Sequence, residues 1–206
     1  MTTTTWIVLA IGLVSVVGLV RIYNRLVELR NRIANAFGQI DVQLKRRHDL
    51  VPNLVEVARR YMEHEAQTLQ AVIAARNQAN DAASAARQHP ENAQTIGALA
   101  LAEQGLMGSL GRLLVVAEAY PDLKADARMR ELSEELSSTE NRVSFARQAY
   151  NDAVLEFNNA VGVFPALIVA RLFNFQPGAM LQVTACEEER NAPRVAYSPC
   201  SITWST

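Results

Sequence analysis

Residues 6–44 read WIVLAIGLVSVVGLVRIYNRLVELRNRIANAFGQIDVQL, and this stretch decides the fold. No charged side chain occurs from Thr2 to Val20; Arg21, Arg25, Arg30 and Arg32 then arrive against a single acid, Glu28. Trp6–Val20 alone is short of the roughly 20 residues that span a bilayer. The preceding threonines and the following Ile22, Tyr23, Leu26 and Val27 extend it. Trp6 and Tyr23 bracket the apolar run, as amphipathic rings do at membrane interfaces. A cleaved signal peptide would carry a basic leader and a small-residue site just after the apolar run. The leader is MTTTTW, and the nearest small-x-small site, Ala34–Asn35–Ala36, lies beyond the charged flank. The reading is a retained single-pass anchor. Because basic flanks stay cytoplasmic, the helical body is expected inside and the N-terminus outside.

An amphipathic stripe follows without a gap. Apolar residues recur in three-four steps at Ile22, Leu26, Leu29, Ile33, Ala36, Ile40 and Leu44, then at Leu54, Ala58 and Tyr61 and on from Leu69 to Ala86. A third run covers Ile96, Leu99, Leu106, Leu110, Leu113 and Ala117. The fourth extends from Met129 through Leu136, Val143, Tyr150 and Phe157 to Phe164 and Ile168. A lone helix cannot bury such a stripe, so the helices must pack on one another. Aspartate and proline in Asp49–Leu50–Val51–Pro52 predict a chain reversal, with a continuous proline-kinked helix as the alternative. His89–Pro90 and Tyr120–Pro121 mark two further breaks. The expected helices are 22–48, 53–88, 93–118 and 126–170. The fold class is all-α, an antiparallel up-and-down four-helix bundle with long, coiled-coil-like helices, preceded by one N-terminal transmembrane helix. The domain reading is an anchor over 1–21, the bundle over 22–173 and an irregular tail over 174–206. Arg194–Tyr197 offer a short extended piece in that tail.

Composition agrees with helix-on-helix packing. Half of the 206 residues are hydrophobic but only 6% are aromatic, so small aliphatics dominate. A net charge of -1 removes the electrostatic reason to expect a nucleic acid. Ile96–Ala117 is apolar enough to suggest a second span, but Glu103 and Arg112 would each cost about 2.5–3.5 kcal/mol near a bilayer centre. Gly105, Gly108 and Gly111 within that run indicate either a close-approach face or a weak helix. Cys186 and Cys200 lack zinc or redox spacing and are expected as reduced thiols.

No catalytic constellation emerges. His64–Glu65 begins an H-E-x-x-H pattern, but position 68 is Thr68. Neither His48 nor His64 has a glutamate three residues before it, as bundle metal sites require. His48 and Asp49 are adjacent on a helix and point apart. Catalytic, cofactor and metal residues are therefore expected to be none. The basic clusters Lys45–Arg46–Arg47 and Arg59–Arg60 are the candidate partner-binding residues, placed beside the expected reversal at 49–52.

The string QIDVQLKRRHDLVPNLVEVARRYMEHE (39–65), with EAYPDLKA (118–125), TENR (139–142) and Tyr150–Asn151, resembles the signature of the LemA family. The resemblance covers roughly residues 20–175 and implies an N-terminally anchored bacterial membrane protein with an antiparallel four-helix bundle. It implies no catalytic residue. Pro193–Tyr197 approximates the P-x-V-x-F end of the family, and Ser198–Thr206 extend past it. The resulting expectation is a non-enzymatic, membrane-anchored interaction protein whose partner is another protein or a further copy of the chain. The alternatives are an accessory subunit docking a membrane protease or envelope-stress complex, and an enzyme with a site inside the bundle.

Overall fold

A computed structural model describes residues 3–181. These form six helices and no strand: α1 (Thr3–Arg59), α2 (Ala66–Gln88), α3 (Ala93–Ala117), α4 (Pro121–Ala125), α5 (Ala127–Gly162) and α6 (Ala166–Leu172). Cys186, Cys200 and Arg194–Tyr197 lie outside the described residues.

The first helix departs from expectation. α1 is a single 57-residue helix that runs through Pro52, and the chain reverses only after Arg59. Proline lacks an N–H, so the carbonyl four residues before it, that of His48, loses its helical partner. The structure supplies a substitute: Arg76 Nε of α2 donates to the His48 carbonyl at 3.0 Å. The reversal expected at 49–52 is therefore corrected to a turn at 60–65. Met62, fully buried, plugs that turn. Tyr61 ties it to the start of α5 by donating its hydroxyl to Asp126 Oδ2 at 3.0 Å.

α1 packs chiefly on α5 and α2, and α2 packs on α3. Ion pairs fix the directions. Arg25 meets Glu156 and Arg46 meets Glu135, so α1 and α5 run oppositely; Arg30 meets Glu91 and Asp41 meets Arg87, so α2 ascends as α1 descends. Every α3 stripe position that the periodicity picks out is buried. The glycines of α3 face open space, with no neighbouring atom within 4 Å of an added Cβ. No other part of the described chain approaches them.

Helix ends follow local chemistry. Asn92 caps α3 by accepting from the Gln94 N–H, and Asp126 caps α5 by accepting from the Arg128 and Met129 N–H groups. The Met129 amide and the Tyr61 hydroxyl hold the Asp126 carboxyl below its ordinary range. A depressed carboxylate stabilises the fold at neutral pH, and that contribution is lost as pH falls through the lowered value.

α5 ends at Gly162 rather than near 170, and α6 leaves it at 96°. Phe164 and Ile168, expected in the core, are exposed as a result. Beyond α6 the chain returns along α5 under three clamps. Asn158 exchanges both amide hydrogen bonds with the Gly178 backbone, at 2.8 and 2.9 Å. Asn151 does the same for Leu181, at 3.3 and 2.8 Å. The Tyr150 hydroxyl lies within 2.8 Å of the Ala179 and Pro90 carbonyls, which its single proton serves in turn. Residues 175–181 are thus part of the packed body, although the sequence reading assigns them to an irregular tail.

The assigned register makes a direct prediction for α5. Leu136 is buried, so Leu136→Ala should cost about 2–5 kcal/mol. Glu135→Ala removes only a half-exposed ion pair with Arg46 and should cost about 1 kcal/mol or less. Chemical denaturation of the two variants checks this, and equal losses would contradict the register.

Candidate functional site

The apolar interior is divided in two. One cluster contains Leu26, Ile33, Ile40 and Leu44 of α1 with Leu99 of α3 and Val143, Tyr150 and Phe157 of α5. The other contains Val51, Leu54 and Ala58 with Leu106 of α3 and Met129 and Leu136 of α5. Between them lies a polar layer to which each long helix contributes. Arg47, His48, Glu103 and Thr139 are its buried side chains, at 3%, 1%, 6% and 1% exposure. Arg76 completes it from α2 through the His48 carbonyl.

Local sequence places each member. Arg47 and His48 follow Leu44 by three and four residues and precede Val51 by four and three, so both fall on the buried face of α1. Glu103 takes the stripe position between Leu99 and Leu106, and Thr139 the one between Leu136 and Val143. The Glu103 carboxylate is the hub. Arg47 Nη1 donates to its Oε2 at 3.1 Å, and His48 Nε2 lies 2.7 Å from its Oε1 in position to donate. Thr139 satisfies itself by donating to the Glu135 carbonyl at 2.8 Å. Arg47 Nε and Gln43 Oε1, one turn apart on α1, are buried without a protein partner.

A cavity of about 270 Å³ opens beside this layer. Arg47 and Glu103 form its inner wall; Glu140, Asn141, Ser144 and Arg147 of α5 line the rest, with Leu181 of the clamped segment at one side. His48 is not part of the wall, and its Nε2 is engaged by Glu103, so no imidazole is presented to Ser144. The chemistry on offer is charge recognition inside a mixed-charge pocket. A larger cavity of about 400 Å³ lies between Arg30, the α2–α3 turn and Phe175. Its charged groups, Arg30 and Glu91, pair with each other at 2.5 Å. Burial alone would raise the Glu91 carboxyl, but the Arg30 hydrogen bond and charge bring it below its ordinary range. Among the described residues, no three or more His, Cys, Asp or Glu side chains are gathered as a metal site would need.

The residues expected to meet a partner are separated by the structure. Arg47 is inside the body and paired with Glu103, so it is removed from the candidate surface. Arg46 is half-exposed and paired with Glu135 at 2.5 Å. Lys45 is exposed on the same stretch of α1. Arg59 and Arg60 are exposed at the far end of α1, where Arg60 has only the local Glu56 at 3.5 Å. They flank the turn at 60–65, not one at 49–52. The arginines that follow the apolar N-terminal segment are also engaged, since Arg25 and Arg32 share Glu28 and Glu156.

Removing one member of a buried ion pair leaves the other charged and unsolvated. Glu103→Ala should therefore cost about 3–5 kcal/mol, and adding Arg47→Met should recover most of it. Denaturant titration of the detergent-solubilised chain measures both. A Glu103→Ala loss near that of an exposed pair, about 1 kcal/mol or less, would show that Arg47 reaches water.

Comparison with curated proteins finds no match. The LemA family model matches residues 36–197, a range that takes in the end of α1, the whole polar layer, all three clamps and the segment beyond them. The chain belongs to the LemA family.

Proposed function

We propose that this protein is a single-pass membrane scaffold whose body docks a protein partner and catalyses no reaction. The portion of α1 after residue 21, together with α2, α3 and α5, acts in this reading as an antiparallel four-helix bundle on the cytoplasmic side. The observation that carries it is the continuity of α1. Its N-terminal part exposes Trp6, Leu9, Leu13 and Val17 with almost nothing packed on them, and the same helix becomes the central strut of the body. That exposed segment is long and apolar enough to cross a membrane. α3 passes the same length and composition test, but its Glu103 is committed to the buried ion pair inside the body.

A rigid strut sets where the partner surface stands. At 1.5 Å per residue, Arg59 lies roughly 57 Å along α1 from Arg21, many times the Debye length of about 8 Å at physiological salt. Attraction of Arg59 and Arg60 to anionic lipid is therefore negligible, and an acidic protein surface is the matching partner. Lys45 belongs to the same exposed basic set lower on the strut. Nothing in the net charge of -1 calls for a nucleic acid.

Reversing charge at the tip tests the reading. Arg59→Glu with Arg60→Glu should leave thermal unfolding and resistance to carbonate extraction unchanged, because both side chains are exposed. Proteins co-purifying with the detergent-solubilised chain should fall several-fold. An unchanged set of co-purifying proteins would contradict the docking role of the tip.

A further inference from the structure

We propose that α6 and the turn leading into it form a second membrane contact, an interfacial foot beside the transmembrane segment. The lipid surface is the partner, and the proposal rests on the reading of α1 as the anchor. The turn and helix carry Phe164, Ile168 and Leu172 at successive four-residue steps, followed by Phe173. Phe164 and Leu172 are each 75% exposed, and Ile168 is 57% exposed. Val169 and Ala170, on the other side of α6, are buried in the core cluster that contains Leu26 and Leu29 of α1. α6 is thus two-faced, and its outer face is an apolar patch of a kind that soluble surfaces rarely leave uncovered.

Position identifies the cover. Glu156 of α5 pairs with Arg25 and Arg32 of α1. The six further residues to Gly162 carry α5 about 9 Å towards the anchor, level with the end of the charge-free segment at Val20. There the chain turns by 96°, so α6 crosses the end of the α1–α5 pair instead of continuing along it. The Tyr23 ring packs on Phe173 at 4.8 Å and on Phe175 at 5.8 Å between centroids. Tyr23 is itself less than one turn beyond Val20. With Val169 and Ala170 turned into the body, the Phe164–Ile168–Leu172 face looks away from it, close to the point from which the apolar part of α1 projects. Exposed Arg171 lies on the same short helix, where a guanidinium can reach lipid phosphates. An apolar face with a basic neighbour, lying across the membrane normal at headgroup level, is the design of an interfacial helix.

Depth measurement by spin labelling tests this on the full chain, with Cys186 and Cys200 replaced by serine. Single cysteines at Ile168 and Leu172 carry nitroxides in vesicles of phosphatidylcholine and phosphatidylglycerol. A label at Leu13 reports the anchor, and one at Phe145, 73% exposed on α5 well above the foot, reports the aqueous body. Collision with oxygen relative to a water-soluble nickel chelate should be several-fold higher at 168 and 172 than at 145. Values at 168 and 172 equal to that at 145, with Leu13 in lipid, would overturn the foot while leaving the anchor standing. A Leu13 label in water would overturn the anchor and the foot together. Labels at 168 and 172 shielded from both reagents would show that protein covers the face, which also overturns the proposal.

Discussion

The Glu103 carboxylate, shared by Arg47 and His48 inside the body, is the interaction on which the remaining geometry depends. It lies where two apolar clusters meet and joins α3 to α1. An apolar stripe by itself tolerates sliding, because one leucine replaces another a heptad away. Here a slip by one heptad would bring Ile40 or Leu54 to the place of Arg47 and strand a buried carboxylate. That costs several kcal/mol, much more than any single apolar mismatch gains. A polar residue on a packed helical seam defines register in this way at some expense of stability.

The same layer keeps α1 whole. Pro52 removes the donor for the His48 carbonyl, and Arg76 replaces it from the neighbouring helix. His48 therefore serves the structure twice, through its ring to α3 and through its carbonyl to α2. A break at this point would have hinged the Arg59–Arg60 tip against the part of α1 that packs as Leu26–Leu44 and continues from the apolar N-terminal segment. The continuous helix instead sets the basic tip, the polar layer and the α6 foot at fixed heights along one axis. The ion pairs of Arg25 and Arg32 with Glu156 and the clamps of Asn151 and Asn158 hold α5 and the returning chain to that axis.

Much of this was legible in the sequence. Three-four periodicity located the buried face of α3 residue by residue, and His89–Pro90 and Tyr120–Pro121 located two of the turns. Pro52 misled because the sequence shows the missing donor but not the arginine, 24 residues further on, that replaces it. Glu103 argues against a second membrane span, and its spacing from Leu99 and Leu106 also puts it on the buried stripe. Arg47 stands in one basic cluster with Lys45 and Arg46, but of the three only Arg47 holds the heptad step from Ile40 and Leu54. A charge on an apolar stripe was thus the signal available for the site. The asparagine clamps left no such signal, since their partners are backbone groups 20–30 residues away. Phe164 and Ile168 continued the α5 period faithfully, and only the bend after Gly162 turned them outward.

Register is the central claim, and a distance between nitroxides on α1 and α3 tests it most directly. Val42 and Leu101 are both exposed and precede Arg47 and Glu103 on their helices, so both lie just to the N-terminal side of the layer. In the native sequence, double electron–electron resonance between labels at these positions should give one narrow distance distribution. Replacing Arg47 and Glu103 together by leucine should broaden it or add a population displaced along the axis by about 10 Å, one heptad of helix. An identical narrow distribution in the leucine variant would mean that apolar packing alone sets the register, and the account would fail.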